Sequence, residues 1–122
     1  MLIGIDIVDI DRIRIVVKRT PRFLSRVFTQ QELEYCYTKS DPYPSLAVRF
    51  AAKEAVRKLH PIFAGGIGFQ EVEVVTDKQG RPEVVLHGEA LARHFRENLG
   101  DIAISLAHSQ NQAIASAVAR KG

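Results

Sequence analysis

Ser45-Leu46-Ala47-Val48-Arg49-Phe50-Ala51-Ala52-Lys53-Glu54-Ala55-Val56-Arg57-Lys58-Leu59 is the stretch on which the fold turns. It is rich in alanine, holds no glycine or proline, and is closed by Pro61, so it predicts one long helix. Phe50, Glu54 and Lys58 recur at i, i+4 and i+8, which puts an aromatic ring, a carboxylate and an ammonium on one stripe. An exposed Glu–Lys pair worth about 0.3–0.5 kcal/mol is the commoner meaning of that spacing. Arg49, Lys53 and Arg57 crowd the same helix, however, and four cations around one acid exceed what solubility requires.

On either side of this helix the pattern turns to strands. Leu2 to Val8 is apolar and β-branched, interrupted only by Gly4 and Asp6, and reads as a buried strand. A helix capped by Asp9 or Asp11 follows and stops near Thr20-Pro21. Thr29 and Glu32 form a capping box for a further helix through about Tyr37, and Ser40 to Pro44 reads as a loop. Beyond the glycine-rich turn at Ala64 to Gly68, Val72 to Thr76 and Glu83 to Leu86 predict a hairpin. Glu89 to Asn98 predicts a short helix with Leu91 and Phe95 on one side, stopped by Gly100. Ile102 to His108 and Ala113 to Ala119 are the closing strands.

With 122 residues, 46% hydrophobic and 25% charged, the chain predicts a single α+β domain over 1–122. Its expected architecture is a largely antiparallel sheet with the long helix packed on it. Cys36 stands alone, which excludes an internal disulfide and a cysteine-based zinc site, and it reads as inert packing. No apolar run approaches membrane-spanning length and the first residues lack the order of a signal peptide, so a soluble cytoplasmic protein is expected.

The net charge of +3 matters less than its distribution. Arg12, Arg14, Lys18, Arg19, Arg22 and Arg26 face Asp11 alone over residues 11–26, a block that points to an anionic partner or a solvated helix face. Asp6 breaks the rules differently. A carboxylate between Ile5 and Ile7 in a strand costs several kcal/mol unless a cation, a hydrogen-bond network or a metal meets it. His108 ends its strand with the parity of Ile104 and Leu106, the expected buried side. Two acids without a cysteine pair or a second histidine in a ligand frame favour a hard cation such as Mg²⁺, and neighbouring Lys and Arg suit a diphosphate. A Mg²⁺–phosphate enzyme and a non-enzymatic basic module for nucleic acid or an acidic protein both remain open at this point.

Three motifs carry a resemblance. Gly4-Ile5-Asp6 with Arg12 resembles the G-x-D-x5-R motif of the holo-acyl-carrier-protein synthases. Phe50 to Lys58 resembles their F-x-x-K-E-A-x-x-K motif, Ser105 to Ser109 their S-[IL]-x-H-[ST] segment, and Phe28-Thr29 with Glu32-Leu33 also fits. The resemblance covers the whole chain and implies the phosphopantetheinyl transferase fold. It also implies transfer of the 4′-phosphopantetheine arm of coenzyme A to a serine of apo-acyl carrier protein, in fatty acid biosynthesis, with 3′,5′-ADP released. It implies that Asp6 and Glu54 hold Mg²⁺, with Glu54, Lys58 and His108 catalytic. Arg49, Lys53, Lys58, His108 and Ser109 would lie toward the coenzyme A phosphates. Arg12, Arg19, Arg22 and Arg26 would dock the acidic carrier, with no nucleic acid or membrane partner. The family's homotrimer, with active sites between subunits, would make the small-residue strand Ala113 to Ala119 a close-packed interface. One departure stands out: Leu59-His60-Pro61-Ile62-Phe63-Ala64-Gly65-Gly66 replaces the family's shorter A-x-G-T-G stretch near the cofactor.

Overall fold

A computed structural model describes residues 1–122. The chain opens with strand β1 (Leu2–Asp9) and three helices, α1 (Ile10–Arg19), α2 (Arg22–Val27) and α3 (Gln30–Cys36), before the long α4 (Tyr43–Leu59). Short 3-10 turns at Pro61–Phe63 and Phe69–Glu71 lead into β2 (Val72–Thr76) and β3 (Pro82–Leu86). Helix α5 (Gly88–Arg96) and strands β4 (Ala103–His108) and β5 (Gln112–Ala119) complete the chain. All strand pairs are antiparallel: a sheet of order β1-β5-β4 and a separate β2–β3 hairpin. The α+β class and the long helix laid on the sheet agree with the reading of the sequence.

Several boundaries differ for local reasons. Helix α4 starts at Tyr43, two residues before the predicted start, because Pro44 sits in its first turn, where the missing N–H costs nothing. The break at Thr20-Pro21 is followed at once by α2, which the basic pattern did not separate from its surroundings. Thr29 and Glu32 form the expected capping box. Asp9 occupies the N-cap position of α1 without capping it; its carboxylate accepts from Gln112 and that of Asp11 from Arg14. Helix α5 ends at Arg96 rather than Asn98, and Asn98 itself takes the left-handed conformation at φ 53°. The Leu91 and Phe95 side of this helix faces solvent, while Ala90 enters the core.

The core explains the alanines. Ala51, Ala52, Ala55 and Val56 of α4 pack on Ala115, Ala117 and Ala119 of β5, so small side chains let helix and sheet approach closely. These alanines are used inside the protomer, so what the small-residue strand offers another copy is its other face, with Ile114, Ser116 and Val118. The opposite sheet face is uncovered and apolar: Ile3, Ile5 and Ile7 of β1 are 68%, 56% and 57% exposed. A second core of Ile10, Ile13, Val27, Phe28 and Leu46 seats the three N-terminal helices against α4.

Candidate active site

Alternation along β1 turns Asp6 toward α4, where its partner is Lys58. The Lys58 ammonium donates to Asp6 Oδ1 at 2.9 Å and to the Ile5 carbonyl at 3.2 Å. Hydrogen bonding to Asp6, then its charge, and further the charge of Glu54, hold the Lys58 pKa above the usual lysine value. One helical turn earlier lies Glu54, whose Oε1 is 3.9 Å from Arg57 Nη1. The mid-strand carboxylate and the stripe on the helix therefore meet at one point.

Two clefts open from this point, and Glu54 lines both. The first, about 440 Å³, runs between Asp6, Arg12, Phe23 and Phe50 toward the N-terminal helices. The second, about 830 Å³, runs past Arg57, Lys58, His60 and Phe69. Its rim is the atypical loop: the His60 ring accepts the Ile62 N–H, Phe63 is fully buried, and Arg93 donates to the carbonyls of Ile62 and Gly65. The longer loop is thus anchored, and it contributes a histidine to the cationic cleft.

Donor chemistry sets what could be held here. Asp6 and Glu54 supply hard carboxylate oxygens, and an ammonium already sits against Asp6 and a main-chain carbonyl. No group of three or more His, Cys, Asp or Glu side chains gathers anywhere in the chain. Two carboxylates suit Mg²⁺, which keeps several waters and takes the rest of its ligands from substrate phosphates. They do not make a zinc or calcium cage.

The other predicted residues divide. Lys53 does not reach the site: it is fully buried, with its ammonium on Glu32 Oε1 and the carbonyls of Phe69 and Val72. The expectation that it contacts the cofactor is corrected, and burial pushes its pKa down despite Glu32. Arg49, also buried, lines a separate groove of about 410 Å³ with Arg81 and Ser105. Its guanidinium stacks over Tyr35 at 4.5 Å and donates to Thr76 Oγ1 at 2.8 Å and the Ser45 carbonyl at 3.1 Å, leaving Nε without a partner. Contrary to its parity, His108 is exposed, because the last residue of β4 lies past the cover of the helix. Register places it two strands across and two residues along from Asp6, about 12 Å in Cα terms. Ser109 closes the β4–β5 turn, its hydroxyl accepting the N–H groups of Asn111 and Gln112. Within one protomer, Arg49, His108 and Ser109 do not join Asp6 and Glu54.

Arg12, Arg19, Arg22 and Arg26 are all exposed, and Arg14 is the only base of α1 and α2 in an ion pair. Arg12 also lines the first cleft, so the basic face runs directly to the acids. Two cations escaped the sequence reading of roles. Arg57 was legible as part of a charge cluster, but Arg81 gave no signal, since only the hairpin brings it beside Arg49.

Residues 2–116 match the model of the 4′-phosphopantetheinyl transferase superfamily. A holo-[acyl-carrier-protein] synthase of Moorella thermoacetica is 47% identical over 117 residues, covering 94% of this chain and 90% of that protein. Another, from Geotalea daltonii, is 43% identical over 120 residues, covering 97% and 96%. Among solved structures, the holo-[acyl-carrier-protein] synthase of Neisseria meningitidis superposes with a TM-score of 0.86 at 29% identity, covering 99% of this chain and all of that one. That of Helicobacter pylori, solved in complex with coenzyme A, gives 0.80 at 31% identity, covering 97% and 99%.

Proposed function

The chain belongs to the 4′-phosphopantetheinyl transferase superfamily, and on that premise we propose that it transfers the 4′-phosphopantetheine arm of coenzyme A to a serine of an apo-acyl carrier protein. The observation that carries this reading is the meeting of Asp6, Lys58 and Glu54 where two clefts join. One cleft leads to an unpaired basic face suited to an acidic carrier, the other to cations suited to a diphosphate. A protein that only bound an acidic partner would have no use for two carboxylates at the end of its basic face.

Phosphoryl transfer is mostly positioning and charge neutralisation. Asp6 and Glu54 would hold Mg²⁺, which when bound neutralises charge on the diphosphate oxygens. Lys58 and Arg57 donate to the same diphosphate from the wall of the second cleft. The serine oxygen forms a bond to the phosphorus that carries pantetheine, and the bond from that phosphorus to the bridging oxygen breaks. The leaving group is 3′,5′-ADP. Glu54 takes the serine proton, directly or through one water. Arg12, Arg19, Arg22 and Arg26 steer and dock the carrier, a contact that weakens with salt.

The proposed assembly is supported by what one protomer lacks. Arg49 and His108 stand apart from the acids, and the Ile3, Ile5 and Ile7 face is open to a second copy. A homotrimer would complete each site across an interface, with Arg49 and His108 supplied to the coenzyme A phosphates by a neighbour. On this reading the holo-carrier product would serve fatty acid biosynthesis, and the enzyme would work in the cytoplasm. No helix is long and apolar enough to cross a membrane.

Incubation with coenzyme A, Mg²⁺ and apo-carrier protein, followed by intact mass, tests the reaction. The expected result is one added phosphopantetheine, lost on chelation and restored by Mg²⁺. Asp6→Ala and Glu54→Ala should each lower the rate at least about 100-fold with the thermal midpoint retained. No mass change with several carriers would leave a binding module.

A further inference from the structure

Lys53 precedes Glu54 on α4, yet it has no free proton for a ligand. Its ammonium donates to Glu32 Oε1 at 2.8 Å, the Val72 carbonyl at 2.6 Å and the Phe69 carbonyl at 3.1 Å, and these three acceptors saturate it. A buried ion pair is a poor source of stability, since apolar residues of similar volume often do as well. What it can supply is a single geometry. Here that geometry reaches the cleft. The main chain of Phe69 is held by Lys53, while its ring stacks on Phe50 at 5.7 Å and lies under the Arg57 guanidinium at 4.9 Å. Arg57 in turn stands 3.9 Å from Glu54 and lines the cleft with Lys58.

We propose that Lys53 is a positioning residue: by fixing the Phe69 main chain it fixes the ring on which Arg57 rests, and so sets the cation that meets the coenzyme A phosphates beside Glu54. The inference rests on the transferase reading and deepens it. It accounts for two lysines with opposite fates on one helix. Lys58 works at the surface of the cleft, and Lys53 works behind its wall. Helical geometry requires this division, because consecutive residues point about 100° apart and only one of Lys53 and Glu54 can face the cleft.

Combining Lys53→Met with Glu32→Gln removes the pair without stranding a buried charge; the single glutamine oxygen keeps one of the two backbone N–H bonds that Glu32 accepts, from Thr29 or Val74, and loses the other. The double variant is expected to melt below the wild type, because the Val72 and Phe69 carbonyls lose their donor. Below that midpoint its folded form binds coenzyme A about tenfold more weakly by calorimetry without carrier protein, as loss of one well-placed charged contact would give. Its kcat falls, and its KM for the carrier stays put because the docking arginines are untouched. A double variant that folds and binds coenzyme A as the wild type does would overturn the proposal. Phe69→Leu keeps Lys53 and removes the ring, so it tests the relay even if the double variant does not fold. Weakened coenzyme A binding is again expected, and wild-type affinity there would equally overturn it. Failure of the wild-type chain to transfer phosphopantetheine is a different result, which defeats the transferase reading itself.

Discussion

Cys36 is fully enclosed on α3, and burial pushes its thiol from 9.0 up to about 11. In the unfolded chain the thiol ionises first, so between pH 9 and 11 the folded state binds the extra proton. The stabilisation this gives is complete below pH 9 and is lost as pH rises through the folded value. Wild type should therefore lose about 1.4 kcal/mol more between pH 8 and pH 10 than Cys36→Ala, read from urea midpoints. Equal losses in the two proteins would mean that the thiol is not held neutral. The same residue-by-residue view shows what the sequence could disclose of the site. Asp6 was legible because a carboxylate between isoleucines in a strand needs a partner, and Glu54 and Lys58 because their spacing shares a stripe. Lys53 was not separable from Lys58, since helical spacing assigns faces without saying what packs on them. Its fate depends on Glu32 and on the Phe69–Val72 main chain, both remote in sequence.

At the scale of elements, the contact between β1 and α4 sets the distance between Asp6 and the helix that carries Glu54 and Lys58. Gly4 makes that contact possible. A methyl group there would collide with the Ala55 carbonyl oxygen and come within 3.2 Å of the Leu59 nitrogen, backbone atoms that cannot turn aside. Gly4→Ala should thus cost at least about 2 kcal/mol, since strand or helix must move, and transfer should fall along with stability. Gly65→Ala is the control: nothing lies within 4 Å of the added carbon and no positive φ is required, so stability should stay within about 0.5 kcal/mol. A Gly4 variant as stable as this control would remove the close-contact argument. Elements with local signals, such as the Thr29 capping box, the long helix and the hairpin, could be read directly from the residues. What escaped was relational. The alanines of β5 announced a close approach but not its partner, which proved to be the α4 of the same chain.

At the scale of the whole molecule, the distribution of charged groups bears on the proposed assembly. Asp6, Glu54 and Lys58 lie together, whereas His108 lies about 12 Å away across the sheet, exposed and bonded only to its neighbour's carbonyl. An isoleucine face on β1 is uncovered, and covering it with another protomer would hide the apolar surface and bring new side chains to each site. If the acids of one copy work with His108 of the next, two inactive variants can repair one another. Asp6→Ala and His108→Ala, each strongly impaired alone, would be unfolded together at equal amounts and refolded. A site is then intact when its acids come from the His108 variant, half the time, and its histidine from the Asp6 variant, half the time. About a quarter of wild-type activity should return in ring-shaped oligomers. Proteins refolded separately and then mixed should show much less. If co-refolding restores nothing, acids and histidine serve the same protomer or His108 serves none. High activity in His108→Ala alone would select the second of these.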